Sequence, residues 1–186
     1  GAAGVAGLAE PGAGPPGPLR DAAVPSKAGD EAVLQHALST YEAALGPRHP
    51  RVLTCLNNLG VFLQGQGRHA EAETCLRRAC GGREAELGPA HPDTLACVNN
   101  LAMLLKARGQ LDEAERLMRR ALLGCDLALG AGHPATAGCL GNLALLLRDL
   151  GRPAEAEVLL TRAWQASAAA CGEGHPDAAV CLGNRG

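Results

Sequence analysis

The chain has 186 residues, a formal charge of −2, 47% apolar residues and only 2% aromatics. A near-neutral chain with no basic run lacks the electrostatic drive for nucleic-acid binding. No apolar stretch reaches the roughly 18–20 residues of a membrane span, and no basic-then-apolar leader marks a signal peptide.

Residues 1–26 are Gly, Ala and Pro with few large apolar side chains. Such a segment cannot bury enough surface to offset its ordering entropy, so it predicts a disordered leader or linker. From Lys27 a helical pattern begins: Leu34, Ala37, Leu38, Tyr41 and Leu45 share one face of a helix ending near Leu45. A break, LGPRHP, follows. Pro50 stands where a helix would open, a place that tolerates a missing N–H, and His49 stands at the cap before it. Leu53, Leu56, Leu59, Phe62 and Leu63 predict a helix over 50–66, which Gly67 ends in a left-handed turn. A second helix follows over 69–87, with Ala70, Ala72, Leu76, Ala79 and Leu87 as its expected buried stripe. Within it, Cys80-Gly81-Gly82 predicts a weak or bent point, since each interior Gly costs about 1 kcal/mol against Ala.

This pair of helices then recurs. His49-Pro50 returns as His91-Pro92, His133-Pro134 and His175-Pro176, a step of 42 residues each time. Asn58, Asn100, Asn142 and Asn184 keep the same step, as do Gly67, Gly109 and Gly151. The pattern predicts helices over 92–108 and 111–129, then 134–150 and 153–171, and another from Pro176. A fixed period with so many matched positions marks a repeat array. Its expected parts are a half repeat at 27–48, full repeats at 49–90, 91–132 and 133–174, and a truncated repeat at 175–186. The first residue is not Met and the last unit stops partway, so the chain reads as a piece of something longer. A helical hairpin cannot bury both its faces alone; stacking buries them, and both ends of this stack read as uncapped.

Of the eight cysteines, Cys55, Cys97, Cys139 and Cys181 share one repeat position, while Cys75, Cys80, Cys125 and Cys171 are scattered. Equivalent positions in stacked helices lie on the order of 10 Å apart, beyond the roughly 7 Å that a disulfide spans. They read as small buried hydrophobes in a reducing, cytoplasmic compartment. The loop histidines fall one per repeat, which predicts turn and cap roles and no shared metal. The Glu-Ala-Glu triplets at 71–73, 113–115 and 155–157 favour the positive end of a helix dipole. Arg77-Arg78 and Arg119-Arg120 read as a solvated outer face. No Ser, Cys or Asp pairs with these histidines in a recognised catalytic arrangement, and neither a phosphate loop nor HExxH is present. No enzyme, cofactor or metal is expected.

The spacing Leu56-x-x-Leu59-Gly60-x-x-Leu63, followed by Ala72-x-x-x-Leu76, resembles the tetratricopeptide repeat. The aromatic positions of that family are Leu here. The longer period and the LGxxHPxT segment resemble the kinesin light chain type. The resemblance covers about 27–186 and implies an all-α fold of helical hairpins stacked into a right-handed superhelix, an α-solenoid. The small residues Gly60, Ala102 and Ala144 would let the two helices of a hairpin approach closely.

The resemblance also implies a concave groove lined by the first helix of each repeat. Carried over by position, its residues are Asn57, Asn58, Val61 and Gln64, then Asn99, Asn100, Met103 and Lys106, then Asn142, Leu145 and Arg148, with Gly141 in place of an Asn. An amide both donates and accepts, so a row of Asn can clasp the backbone of an extended peptide, while Lys106 and Arg148 would attract an acidic group. The other use of these amides, tying neighbouring repeats or helix ends together, stays open. The expected function is a non-enzymatic scaffold for a partner protein's extended segment, in the manner of a cargo adaptor, binding neither nucleic acid nor membrane. The alternatives are a regulatory arm of a larger ATPase or protease, a spacer that self-associates end to end, and a fragment with no selected function.

Overall fold

The start of each repeat is fixed by a histidine. His49, His91 and His133 have extended backbones, and each imidazole Nδ1 accepts the N–H two residues on, from Arg51 (3.2 Å), Asp93 (3.2 Å) and Ala135 (3.1 Å). The proline between has no N–H to satisfy, so two of the orphan donors of a helix start are dealt with by two residues. The cap role read from the sequence is therefore what these three histidines perform.

The structure is a computed structural model that describes residues 28–171; the leader at 1–26 and the truncated repeat at 175–186 lie outside the described residues. Seven helices follow one another among them: α1 (Ala28–Leu45), α2 (Pro50–Gly65), α3 (His69–Leu87), α4 (Pro92–Ala107), α5 (Leu111–Leu129), α6 (Pro134–Asp149) and α7 (Pro153–Cys171). The fold is all-α. Helices α2, α4 and α6 are the first (A) helices of their repeats, and α3, α5 and α7 the second (B); α1 is a B helix by register.

Each A-to-B turn is a Schellman closure. Gly67, at φ +74, donates to Gln64 O, while the Arg68 N–H reaches back to Leu63 O at 2.9 Å. Gly109 and Gly151 repeat it. A side chain at Gly67 would be strained by that φ although the space around it is open. The closure ends α2, α4 and α6 at residues 65, 107 and 149, one short of the expected 66, 108 and 150, because Gln66, Arg108 and Leu150 have become the C-caps.

Helix α2 packs on α3, α4 on α5 and α6 on α7; each B helix then packs on the following A helix, and α2 touches α4 as α4 touches α6. This is sequential hairpin stacking around one continuous Leu- and Ala-rich core. Gly60, Ala102 and Ala144 are all buried at the crossing of A and B helices. A Cβ on Gly60 would stand 2.6 Å from Leu76 Cγ. Among the described residues no helix is long and apolar enough to cross a membrane.

Three expectations are corrected. Helix α3 runs without interruption through Cys80-Gly81-Gly82. Gly82 is a packing position, since a Cβ there would meet Leu53 Cδ2 at 2.4 Å. In the buried stripe of α3, Ala72, Leu76 and Ala79 are fully buried, but Ala70 and Leu87 are exposed. Ala70 lies two residues, about 200°, from Ala72 around the helix, and Leu87 is the last helical residue, at the turn. The arginines of the outer face are exposed but paired. Arg78 bonds Glu42, Arg120 bonds Glu84 (2.8 Å) and Arg162 bonds Asp126, each reaching from one B helix to the one before. A second row joins Arg68 to Glu31, Arg108 to Glu73 and Arg152 to Glu115. The triplet glutamates thus serve stacking as well as the helix dipole.

Candidate functional site

The A helices touch one another along one side of the stack, so their facing residues form a continuous strip. Asn57, Asn58, Val61 and Gln64 on α2 are half-buried, as are Asn99, Asn100, Met103 and Lys106 on α4, and Asn142 and Leu145 on α6; Arg148 is exposed. Of these, Asn57 meets Asn100, Asn99 meets Asn142, and Val61, Gln64, Asn100 and Met103 share one hollow.

The amides bond to each other across repeats. Asn100 Nδ2 donates to Asn57 Oδ1 at 3.1 Å, and Asn142 Nδ2 donates to Asn99 Oδ1 at 3.3 Å. Asn57 Nδ2 in turn approaches Asn58 Oδ1 at 3.4 Å. The tying use left open by the sequence is therefore occupied, on both groups of Asn57 and on one group of Asn58, Asn99, Asn100 and Asn142. Since an amide has two acceptor lone pairs and two donors, the Oδ1 atoms of Asn100 and Asn142 keep acceptor capacity toward the strip. Gly141 interrupts the series on α6, having no amide to pass on.

Lys106 is already paired: its Nζ lies 2.9 Å from Asp149 Oδ2 on α6. Asp149 is a residue the sequence reading did not single out, because its equivalents, Ala107 and Gly65, carry no charge. His69 is the second. It opens α3, where the other repeats have Leu111 and Pro153, and its Nδ1 is buried without a hydrogen-bond partner among the described residues. This break in the periodicity was the signal available for it. His69, Val61, Gln64, Asn100 and Met103, with Gly65 and Ala107, line an open hollow of about 460 Å³ between α2 and α4. Its walls combine apolar side chains with two amides and the His69 ring.

The tetratricopeptide repeat family model matches three overlapping stretches, 31–85, 56–124 and 94–166. The chain belongs to the tetratricopeptide repeat family. Repeats of this kind are as a class protein–protein interaction modules, and no catalytic family is matched. Among solved structures, a kinesin light chain-like protein of Podosopora anserina with nearly identical TPR-like repeats is similar. It superposes at a TM-score of 0.70 with 24% identity, over 83% of this chain and 74% of that one. A single-substitution variant of that protein gives 0.72 and 23%, over 83% and 73%. BtubC (BKLC) from P. vanneervenii gives 0.71 at 20% identity, over 84% of this chain and 65% of its own. At these identities the likeness concerns the fold. No curated protein matches the sequence.

Proposed function

We propose that this tetratricopeptide array is a non-enzymatic scaffold that holds an extended peptide segment of a partner protein along the A-helix strip, from α2 across α4 to α6. The observation that carries the reading is the hollow between α2 and α4. Val61 and Met103 offer apolar contact there, and Gln64 and Asn100 offer amides. The buried His69 Nδ1 has no intramolecular partner among the described residues, and leaving such an atom unpaired costs about 1–3 kcal/mol. Lys106 adds an acidic preference only against competition from Asp149, which already holds it. The proposed setting is cytoplasmic, where thiols stay reduced, and the proposed role is adaptor-like, with neither nucleic acid nor membrane as partner.

The test is a screen of the full chain against an array of extended peptides, followed by variants. Met103→Glu, which places a charge in the hollow, and the pair Asn100→Ala with Lys106→Ala are expected to weaken captured peptides by tenfold or more. Because Asn100 also ties α4 to α2, the denaturation midpoint of each variant is measured alongside. Folded variants that bind every peptide as before sink the groove reading.

A further inference from the structure

The groove uses none of the buried cysteines, yet these are arranged in relation to one another. Cys125 on α5 and Cys139 on α6 bring their sulfurs to 3.9 Å. One repeat earlier, Cys97 Sγ on α4 lies 4.0 Å from Leu76 O on α3, one turn before Cys80, and the two buried thiols Cys80 and Cys97 perturb each other's titration. Both pairs join the B helix of one repeat to the A helix of the next. Cys97 and Cys139 are equivalent positions; Cys80 and Cys125 are not. The B-helix equivalent of Cys80 is Leu122, three residues before Cys125 and so one turn away on the same face. Comparison of equivalent repeat positions alone therefore does not reveal the pairs. Cys55 provides an internal contrast: it is buried like Cys97 and Cys139, but α1 contains no cysteine to face it.

We propose that the two contacts are disulfide-forming sites: toward a disulfide oxidant such as glutathione disulfide, Cys80 bonds to Cys97 and Cys125 to Cys139, stapling each repeat to the next. One thiolate attacks the oxidant, forming a mixed disulfide and releasing one glutathione thiolate. The second protein thiolate attacks the protein sulfur of that mixed disulfide and releases the other. The two protons lost by the cysteines go to the two glutathione thiolates, so one glutathione disulfide becomes two glutathiones and two protein thiols become one disulfide. Sulfurs 3.9 Å apart, as in Cys125 and Cys139, need only a small side-chain movement to reach the bonding distance of about 2.05 Å.

In the closed stack the reaction is held back. All four thiols are at most 6% exposed. Burial pushes Cys139 up to about 12, and interaction with Cys97 together with burial raises Cys80, while the same interaction lowers Cys97. Three of the four thiols are held protonated, and the oxidant reaches none of them. Oxidation therefore proceeds through local parting of the B/A interface, one of the sub-global openings open to any stacked array. Once formed, each disulfide bars that same opening. The reduced array is the one that parts, and the oxidised array is locked. This inference is independent of the groove.

The test incubates the folded full chain with glutathione disulfide, blocks remaining thiols with an alkylating agent, and maps tryptic peptides without reduction. The expected products are a cross-linked pair of peptides, 79–83 with 84–106, and a peptide 121–148 that has lost two hydrogens and takes no alkyl label. Cys55 and Cys75 are expected to be alkylated. The oxidised chain should unfold at a higher denaturant concentration than the reduced chain, and Cys125→Ala should abolish the second product while leaving the first. The proposal is overturned if both pairs stay alkylatable while the chain unfolded in denaturant is oxidised. It is equally overturned if the bonds that form involve Cys55 or Cys75.

Discussion

At the scale of single residues, two adjacent glycines with the same helix propensity have opposite roles. Gly81 has nothing within 4 Å of where a Cβ would stand, whereas Gly82 faces the buried Leu53. The contact recurs one repeat on, where Gly124 faces Leu95 at 2.5 Å; in the third repeat the equivalent positions are Ala166 and Ala137, a different division of volume. Gly81→Ala should raise stability by about 0.5–1 kcal/mol from propensity alone. Gly82→Ala should lower it by about 1–3 kcal/mol, since Leu53 must leave its position in a close-packed core. Urea denaturation of the two variants checks both signs. A second pair separates likewise. Thr136 is fully buried and donates to Gly130 O at 2.8 Å, while the equally buried Thr94 hydroxyl has no partner among the described residues and its counterpart in the first repeat is Val52. Thr94→Val is expected to be neutral or stabilising, and Thr136→Val to cost about 1 kcal/mol. None of this was legible in the sequence. A glycine inside a helix reads as a propensity cost until the side chain opposite it is known, and a threonine in a repeated slot reads the same whether or not its hydroxyl is satisfied.

At the scale of helices, the reading was good because each boundary is written by residues acting locally. Histidine caps, prolines at the first helical position and glycines at positive φ fix both ends of α2, α4 and α6 within a turn of chain. Side-chain ties between helices were less legible. A repeat comparison aligns equivalent residues, but Arg120 meets Glu84, 36 residues away, and Asn100 meets Asn57, 43 away. Those separations follow from helix geometry and not from the 42-residue step. The ties carry a pH dependence. Hydrogen bonds from Arg68 hold the Glu71 carboxyl below its ordinary 4.5, and those from Arg152 do the same for Glu155. Burial pushes Glu115 up, but bonds from Arg119 and Arg152 outweigh it and leave it lowered. A carboxylate with a lowered folded pKa contributes stability that is fully present above its unfolded value and is lost as pH falls through the folded one. The denaturation midpoint is therefore expected to fall as pH drops below about 4.5. Glu115→Gln should flatten that acid limb and lower the midpoint at neutral pH. A midpoint for Glu115→Gln that tracks the parent chain throughout would show that the pair with Arg152 contributes nothing.

At the scale of the whole molecule, stacking makes stability a matter of neighbours. Each repeat contributes its own hairpin packing and an interface with the next. Helices α4 and α5 have a repeat on either side, whereas among the described helices α1 and α7 have a neighbouring repeat on one side only. The ion pairs along the B helices, such as Arg120 with Glu84, are exposed and are worth at most about 1 kcal/mol each. They set the stacking register more than they hold it, so the burial of Leu95, Leu104, Leu105 and Met118 must supply the central strength. Local opening should then begin at the ends and move inward. Native-state hydrogen exchange is expected to give the greatest protection in α4 and α5, with a graded loss toward α1 and toward α7. Uniform protection through all seven described helices would mean that the array opens only as a whole. In that case the interfaces between repeats dominate over the hairpins, and the oxidation of Cys80 with Cys97 would have to keep pace with that of Cys125 with Cys139. A graded profile predicts instead that the Cys125–Cys139 interface, which adjoins the terminal α6–α7 hairpin, oxidises first.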